Sequence, residues 1–286
     1  MAVDSNFPKS PFTTLDPHIR WRPGSNTNEE IASLIAPLVH KLRIAVRDWR
    51  NQKYEGSSAT SKALLNWWFH SQHPKENSDG STWNFQYYFA QQEAVETVVY
   101  LADVVGAFDP SDLLQFDSSR SLREDSFHET WPRYVVKMAT GSGKTKVMSL
   151  VLAWSYFHKI YEANSPFSRN FLVIAPNVIV LERLRTDFDN LKIFYTDPVL
   201  PSNGYEGRDW ERDFQLKVHI QDRVMLTEKV GNIFLTNIHR VYESKDKIST
   251  VDDDDVMDYF LGNKPNIKKL NGEVELEDIV RDIEEL

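Results

Sequence analysis

Two kinds of apolar pattern run along the chain. Ile31, Leu34, Ile35, Leu38, Leu42, Ala45, Val46 and Trp49 fall three or four residues apart, the spacing of one helix face. Thr27, with Glu30 three residues on, forms a capping box ahead of this stripe, and Pro37 predicts a kink in it. A polar break at 56–60 precedes a short apolar helix with Leu64, Leu65, Trp67, Trp68 and Phe69. Residues 73–82 read as a polar loop around Pro74 and Gly80, and a further helix is predicted from about Phe85 to Val105. Before all of these, Pro8, Pro11, Pro17, Pro23 and Gly24 predict an extended lead-in.

The pattern changes at Tyr134. Residues 134–138 form a short β-branched run that ends in glycines, which predicts a strand. Val147, Leu150, Val151, Trp154 and Phe157 then line one stripe of a helix from Lys144 to about Lys159. Residues 171–175 predict a second buried strand. Val178, Leu181, Leu184 and Phe188 predict the helix behind it. Residues 215–220 and 232–236 are two more strands. Strands alternating with helices predict an α/β fold with a parallel sheet covered on both faces. No repeat at solenoid or propeller spacing is present.

The most informative segment lies between the first of these strands and its helix: Ala139, Thr140, Gly141, Ser142, Gly143, Lys144 and Thr145. Gly141 and Gly143 let the backbone curl so that successive N–H groups face one hollow. The positive end of the following helix adds to that preference for phosphate oxygens. Lys144 can reach the β- and γ-phosphates, and the Thr145 hydroxyl can ligate Mg²⁺. Met138 stands where the strict G-x-x-x-x-G-K-T pattern has its first glycine. The competing reading is a glycine-rich turn with a solvated lysine.

Charge and composition narrow the classes. The chain of 286 residues is 41% hydrophobic, enough for a core, which excludes a mainly disordered protein. It has no cysteine, so disulfides and cysteine-based zinc or nucleophile chemistry are excluded. His70 and His73 have no acid at metal-ligand spacing, and no G-x-S-x-G element is present. The apolar stretch at 147–157 is too short to span a bilayer, and the first eleven residues lack the apolar core of a secretory signal. A cytoplasmic protein is the expectation. The net charge of −9 sits mostly in residues 246–286, with 13 acids and 5 bases, whereas residues 131–192 carry 9 bases and 4 acids. The acidic total therefore leaves room for an anion-binding surface in the middle of the chain.

The segment at 139–145 resembles motif I of superfamily 2 helicases. In the same order, residues 171–177, ending in Pro176 and Asn177, resemble motif Ia. Residues 232–238, with Thr236 and Asn237, resemble a later nucleic-acid-contacting strand end, and Gln91, Gln92, Glu93 and Ala94 resemble the element that reads adenine. Together they are similar to the helicase subunit of type III restriction enzymes and its DEAD/DEAH-box relatives. Trp49, Arg50 and residues 64–69 resemble the helical lead-in of one branch of that family.

The resemblance implies a RecA-like phosphate-loop sheet with flanking helices in residues 83–286, behind a helical accessory region in 1–82. It implies ATP and Mg²⁺ as cofactors, DNA as partner, and a modification subunit or a C-terminal part as a further partner. Carried over, residues 140–145 cradle phosphate, with Lys144 and Thr145 as the catalytic pair. Gln91 contacts adenine, and Pro176, Asn177, Thr236 and Asn237 hold the nucleic-acid backbone. Each has a plainer alternative: Gln91 as a surface glutamine with Gln92 as competitor, Asn177 as a helix cap, Trp83 and Trp210 as packing rather than stacking groups. Arg183 and Arg185 are exposed-helix cations that can also reach phosphate.

The family's acidic motif II, a strand ending in Asp-Glu, is not found. Residues 252–255 are four aspartates behind a poor strand, expected to be a solvated loop, and 273–286 reads as an acidic helix. The expectation is an N-terminal portion of a longer helicase-like protein, with an incomplete sheet. The alternatives are another phosphate-loop enzyme, such as a small-molecule kinase, or a non-catalytic module that needs a partner chain.

Overall fold

The computed structural model describes residues 37–118, 120, 122–124, 133–220 and 231–238. Its elements are, in chain order, α1 (Val39–Asn51), α2 (Ala59–His70), β1 (His73–Glu76), β2 (Thr82–Phe85) and α3 (Phe89–Val99). Then follow α4 (Lys144–Tyr161), β3 (Asn170–Ala175), α5 (Val178–Phe188), α6 (Lys192–Thr196), α7 (Trp210–Asp213), β4 (Leu216–Ile220) and β5 (Gly231–Asn237). A π-helical turn, Tyr100–Val105, continues α3, and a 3₁₀ segment spans Pro110–Phe116. They form two compact units: the residues up to Ser168 with Ile193–Phe214, and Arg169–Lys192 with the residues from Gln215 onward.

The first unit is a layer of helices. α1 begins two residues after Pro37 and buries Val46 and Trp49 of the predicted stripe. The Ser58 hydroxyl caps α2 by accepting from the Ser61 N–H, and α2 buries Leu64, Leu65 and Trp68. α3 packs on α4, and α2 on both. The Trp68 indole donates to the Val199 carbonyl (2.8 Å) and that of Trp67 to the Pro198 carbonyl (3.0 Å), so the segment after α6 is pinned to α2. The Trp154 indole donates to the Ser61 hydroxyl (2.7 Å), joining α4 to α2. Trp210 is wholly buried against Phe157 and Tyr161. Packing is thus the role of Trp210, whereas Trp83 on β2 stays 45% exposed.

A buried charge cluster fastens α3 to α1. The Glu96 side chain is completely buried. It accepts from Arg50 Nε (2.7 Å to Oε2), from the Tyr54 hydroxyl (2.7 Å) and from Gln92 Nε2 (2.7 Å), and Arg50 Nη2 pairs with it as well. The Tyr54 hydroxyl also meets His70 Nε2 at 2.8 Å. Burial, and then the Glu96 carboxylate, push the Tyr54 phenol far above its usual range. Arg43 pairs with Glu93 further along the same two helices.

Two sequence expectations fail in this unit. Residues 73–82 are not a loop throughout: β1 and β2 form an antiparallel hairpin, His73 opposite Phe85 and Glu76 opposite Thr82. Most of its positions are exposed, so no apolar alternation announced it. The predicted strand at 134–138 has no ladder partner among the described residues. Tyr134 instead packs beside Leu101, Ala107 and Phe116, donating to the Ala107 carbonyl at 2.5 Å, while Val135 and Val136 are exposed. A strand needs a neighbour to complete its hydrogen bonds, and β-branched composition does not supply one.

The second unit holds the parallel sheet, in the order β3-β5-β4. Asn170 pairs with Asn232 and Ala175 with Asn237 on one side; Leu216 pairs with Gly231 on the other. α5 packs on β3 and β5, and its buried positions are Leu181, Leu184 and Phe188, three of the four predicted for its stripe; Val178 is exposed. A polar row crosses this sheet: Asn232 Nδ2 donates to Asn170 Oδ1 (2.9 Å), so its Oδ1 is left to accept from His219 Nε2 (2.9 Å). The His219 ring stacks on Phe234 with centroids 4.9 Å apart.

The protein is therefore α/β, with a parallel sheet and flanking helices consistent with a RecA-like fold, and a helical N-terminal region. Among the described residues no helix is long and apolar enough to cross a membrane. The Thr27 capping box, the prolines of the lead-in, the aspartates at 252–255 and the helix predicted at 273–286 lie outside the described residues.

Candidate functional site

Residues 139–145, the predicted phosphate loop, sit ahead of the longest described helix. Gly143 is the N-cap of α4, with φ +84°, and Gly141 has φ +79°; both are in the left-handed region. The Gly143 carbonyl accepts from the Lys146 and Val147 N–H groups and so starts the helix. The Ala139 carbonyl accepts from the Ser142 N–H (3.4 Å), the Ser142 hydroxyl (2.7 Å) and Lys144 Nζ (2.9 Å). Three donors on one carbonyl curl residues 139–144 into a closed turn, with Lys144 folded over it. Gly141 and Lys144 are exposed; Thr145, second residue of α4, is half-buried. The first turn of α4 contains no acid, so nothing on the helix offsets its positive end.

Gln91 belongs to this loop. It is 4% exposed, which excludes the surface-glutamine reading. Its Oε1 accepts from the Tyr88 N–H (2.9 Å), closing the capping box of α3, and its Nε2 donates to the Ser142 carbonyl (3.0 Å). Gln92, the competitor, is committed to Glu96 on the other side of α3. The amide of Gln91 also stands where a side chain on Gly143 would have to go. Gly143→Ala is therefore expected to break the Gln91–Ser142 bond and strain the left-handed backbone, lowering stability by about 1–3 kcal/mol. Nucleotide affinity should fall with it, read by thermal melting and nucleotide titration. Gly141→Ala meets open space and carries only the backbone strain.

In the second unit, the parallel register brings the other predicted residues to one edge. Ala175 ends β3 beside Asn237 at the end of β5, so Pro176 and Asn177 leave the sheet next to Thr236 and Asn237. This is the carboxyl edge, where open α/β sheets hold their ligands. Asn177 is the N-cap of α5, its Oδ1 accepting from the Val180 N–H at 2.9 Å, so the cap reading holds. Pro176 is exposed, Thr236 half-buried and Asn237 6% exposed. Asn177→Ala is expected to lower stability by about 1 kcal/mol through the lost cap, measured by urea unfolding. Arg183 and Arg185 are exposed on α5, and Arg185 pairs loosely with Glu182 at 3.7 Å.

The phosphate-loop residues and Gln91 are gathered in the first unit; Pro176, Asn177, Thr236 and Asn237 in the second. His70 and His73 are spent on Tyr54 and on the Trp67 carbonyl, and among the described residues no cluster of three His, Asp or Glu is placed to hold a metal. Sequence reasoning missed Glu96 and Asp197. Glu96 shows only as an acid one helical turn after Gln92. Asp197 lies 51 positions from Lys146, the lysine it pairs with, and no local signal links them.

No curated protein and no solved structure matches the chain. Residues 84–263 match the family model described as type III restriction enzyme, res subunit. The match takes in α3, the phosphate loop and all three strands of the parallel sheet, well over half of the chain, and the protein belongs to this family of ATP-dependent, helicase-like proteins.

Proposed function

We propose that the chain is the ATP-binding and DNA-binding part of a translocase of the type III restriction type, acting in the cytoplasm. Residues 83–286 form its first motor lobe and residues 1–82 an accessory region. The observation that supports the reading is the conformation of residues 139–144, with the Gln91 amide bonded to the Ser142 carbonyl. The loop suits phosphate: two left-handed glycines, an uncompensated helix N-terminus and an exposed lysine.

In this reading Thr140, Gly141, Ser142 and Gly143 offer the cradle. Lys144 leaves the Ala139 carbonyl for the β- and γ-phosphates. The Thr145 hydroxyl would help to hold Mg²⁺, which would neutralise phosphate charge there. When bound, ATP would supply a β–γ phosphoanhydride bond whose hydrolysis by water to ADP and phosphate is the energy source. Gln91 gives up the Tyr88 N–H and the Ser142 carbonyl on nucleotide binding and turns its amide edge to adenine, whose adjacent donor and acceptor match it. Pro176, Asn177, Thr236 and Asn237 hold the DNA backbone, and a modification subunit is the natural partner.

The test is MgATP affinity together with single-turnover hydrolysis, with and without DNA. Binding of MgATP, and binding of DNA that weakens as Asn177 and Asn237 are replaced, support the reading. Turnover that responds to a small phosphate acceptor and ignores DNA would replace it with a kinase.

A further inference from the structure

The first turn of α4 carries two lysines, and a cation there opposes the positive end of the helix. Lys144 is folded onto its own loop. Lys146 runs elsewhere, and its Nζ pairs with Asp197 Oδ2. The other oxygen of Asp197 accepts from Lys75 Nζ of β1 at 2.8 Å. Lys75 donates as well to the Thr196 carbonyl (2.8 Å) and lies 4.6 Å over the Phe85 ring. The Asp197 side chain is only 10% exposed, so the two ion pairs are partly withdrawn from water. Burial works against its charge, yet the two lysines hold the carboxyl below the usual carboxylate range.

This triad reaches the phosphate loop through the stem of Lys146. Gly143 stands in a left-handed conformation that a side chain would disfavour. Two neighbours flank the position its Cβ would take: the Gln91 amide and the Lys146 Cγ, the latter at 3.7 Å. Gln91 is fixed by its two hydrogen bonds. The stem of Lys146 is fixed because its ammonium is tethered to Asp197.

We propose that Asp197 is a positioning residue of the phosphate loop: by tethering Lys146 it fixes the Lys146 stem beside Gly143 and so holds the loop in the shape that meets phosphate. The assignment rests on the nucleotide reading of the loop. It adds that affinity depends on a carboxylate more than fifty residues downstream of the loop. Through Lys75 the same carboxylate ties the hairpin to the first turn of α4.

The experiment is a titration of MgATP and MgADP into four chains: unmodified, Asp197→Asn, Lys146→Met and the double variant, each with its melting temperature. Asp197 lines an open cavity of about 310 Å³, so an asparagine there has water available to it. Each single variant should weaken both nucleotides about tenfold, and the double variant should be no weaker than either, as for two ends of one tether. Asp197→Glu should recover part of the loss. Affinity within about twofold of the unmodified chain for Asp197→Asn overturns the proposal. So does an undiminished loss in the Lys146→Met background, because Asp197 would then act through the fold at large. If Asp197→Asn melts below the assay temperature, Lys146→Met decides alone, and unchanged affinity overturns the tether. Failure of the nucleotide reading looks different: the unmodified chain binds no MgATP, or Lys144→Ala binds as well as it does, and the assignment to Asp197 falls with that reading.

Discussion

Lys144→Ala is expected to reduce MgATP affinity by at least about a hundredfold, the equivalent of roughly 3 kcal/mol. The side chain is exposed and makes its contact with a carbonyl of its own loop. Its removal therefore costs the fold little, and the melting temperature should stay within about two degrees. The pairing of a large binding defect with an unchanged melt separates a ligand-facing lysine from a solvated one. Binding that survives the substitution rejects the phosphate-loop assignment. Adenosine, which lacks phosphates, should be bound equally by both chains.

Glu96→Ala should show the opposite pairing in its cause: a large loss of stability with no ligand contact involved. Three side chains converge on a carboxylate with no exposure to water. Deleting it leaves the Arg50 guanidinium without the charge that holds it, and a broken buried pair costs about 3–5 kcal/mol. In the folded protein desolvation alone would lower the Arg50 pKa, and Glu96 more than offsets it; the variant loses that support, but a guanidinium is basic enough to stay charged. Glu96→Gln keeps the shape and one acceptor, and should cost clearly less. The urea midpoint of the first unit measures both. A loss below about 1 kcal/mol for the alanine variant would mean that solvent reaches Arg50 and the cluster is not the clamp described here.

Much of the fold was legible wherever a segment is half-buried and so must display its period. α4, β3, α5, β4 and β5 all fall within about two residues of their predicted bounds, because each turns one set of apolar side chains inward. The hairpin was not legible: its strands are short and mostly exposed, and its only signals were the turn before Gly80 and the Thr82–Phe85 pattern. Residues 134–138 show the reverse failure, since composition describes a side chain's preference and not the presence of a partner strand. For the site, the glycines and Lys144 announced themselves by spacing. Gln91 was named, but its buried bond to Ser142 joins positions 51 apart and needed the fold to be seen. Asn177 turned out to be a cap, which leaves its backbone neighbours at the helix start still directed at the carboxyl edge.

The row of His219, Asn232 and Asn170 acts on the folding route as much as on the folded state. β5 is buried on both faces, so a one-residue slip exchanges one aliphatic contact for another, and polar pairs mark its register. A slip of one residue in β5 would turn Asn232 to the opposite face and break both of its bonds at once. With buried polar atoms costing about 1–3 kcal/mol each when unmet, misaligned sheets are disfavoured before any helix has to dock on them. The three polar side chains thus work as an error check on strand alignment, in a sheet whose long-range pairings form slowly and are exposed to aggregation while they do.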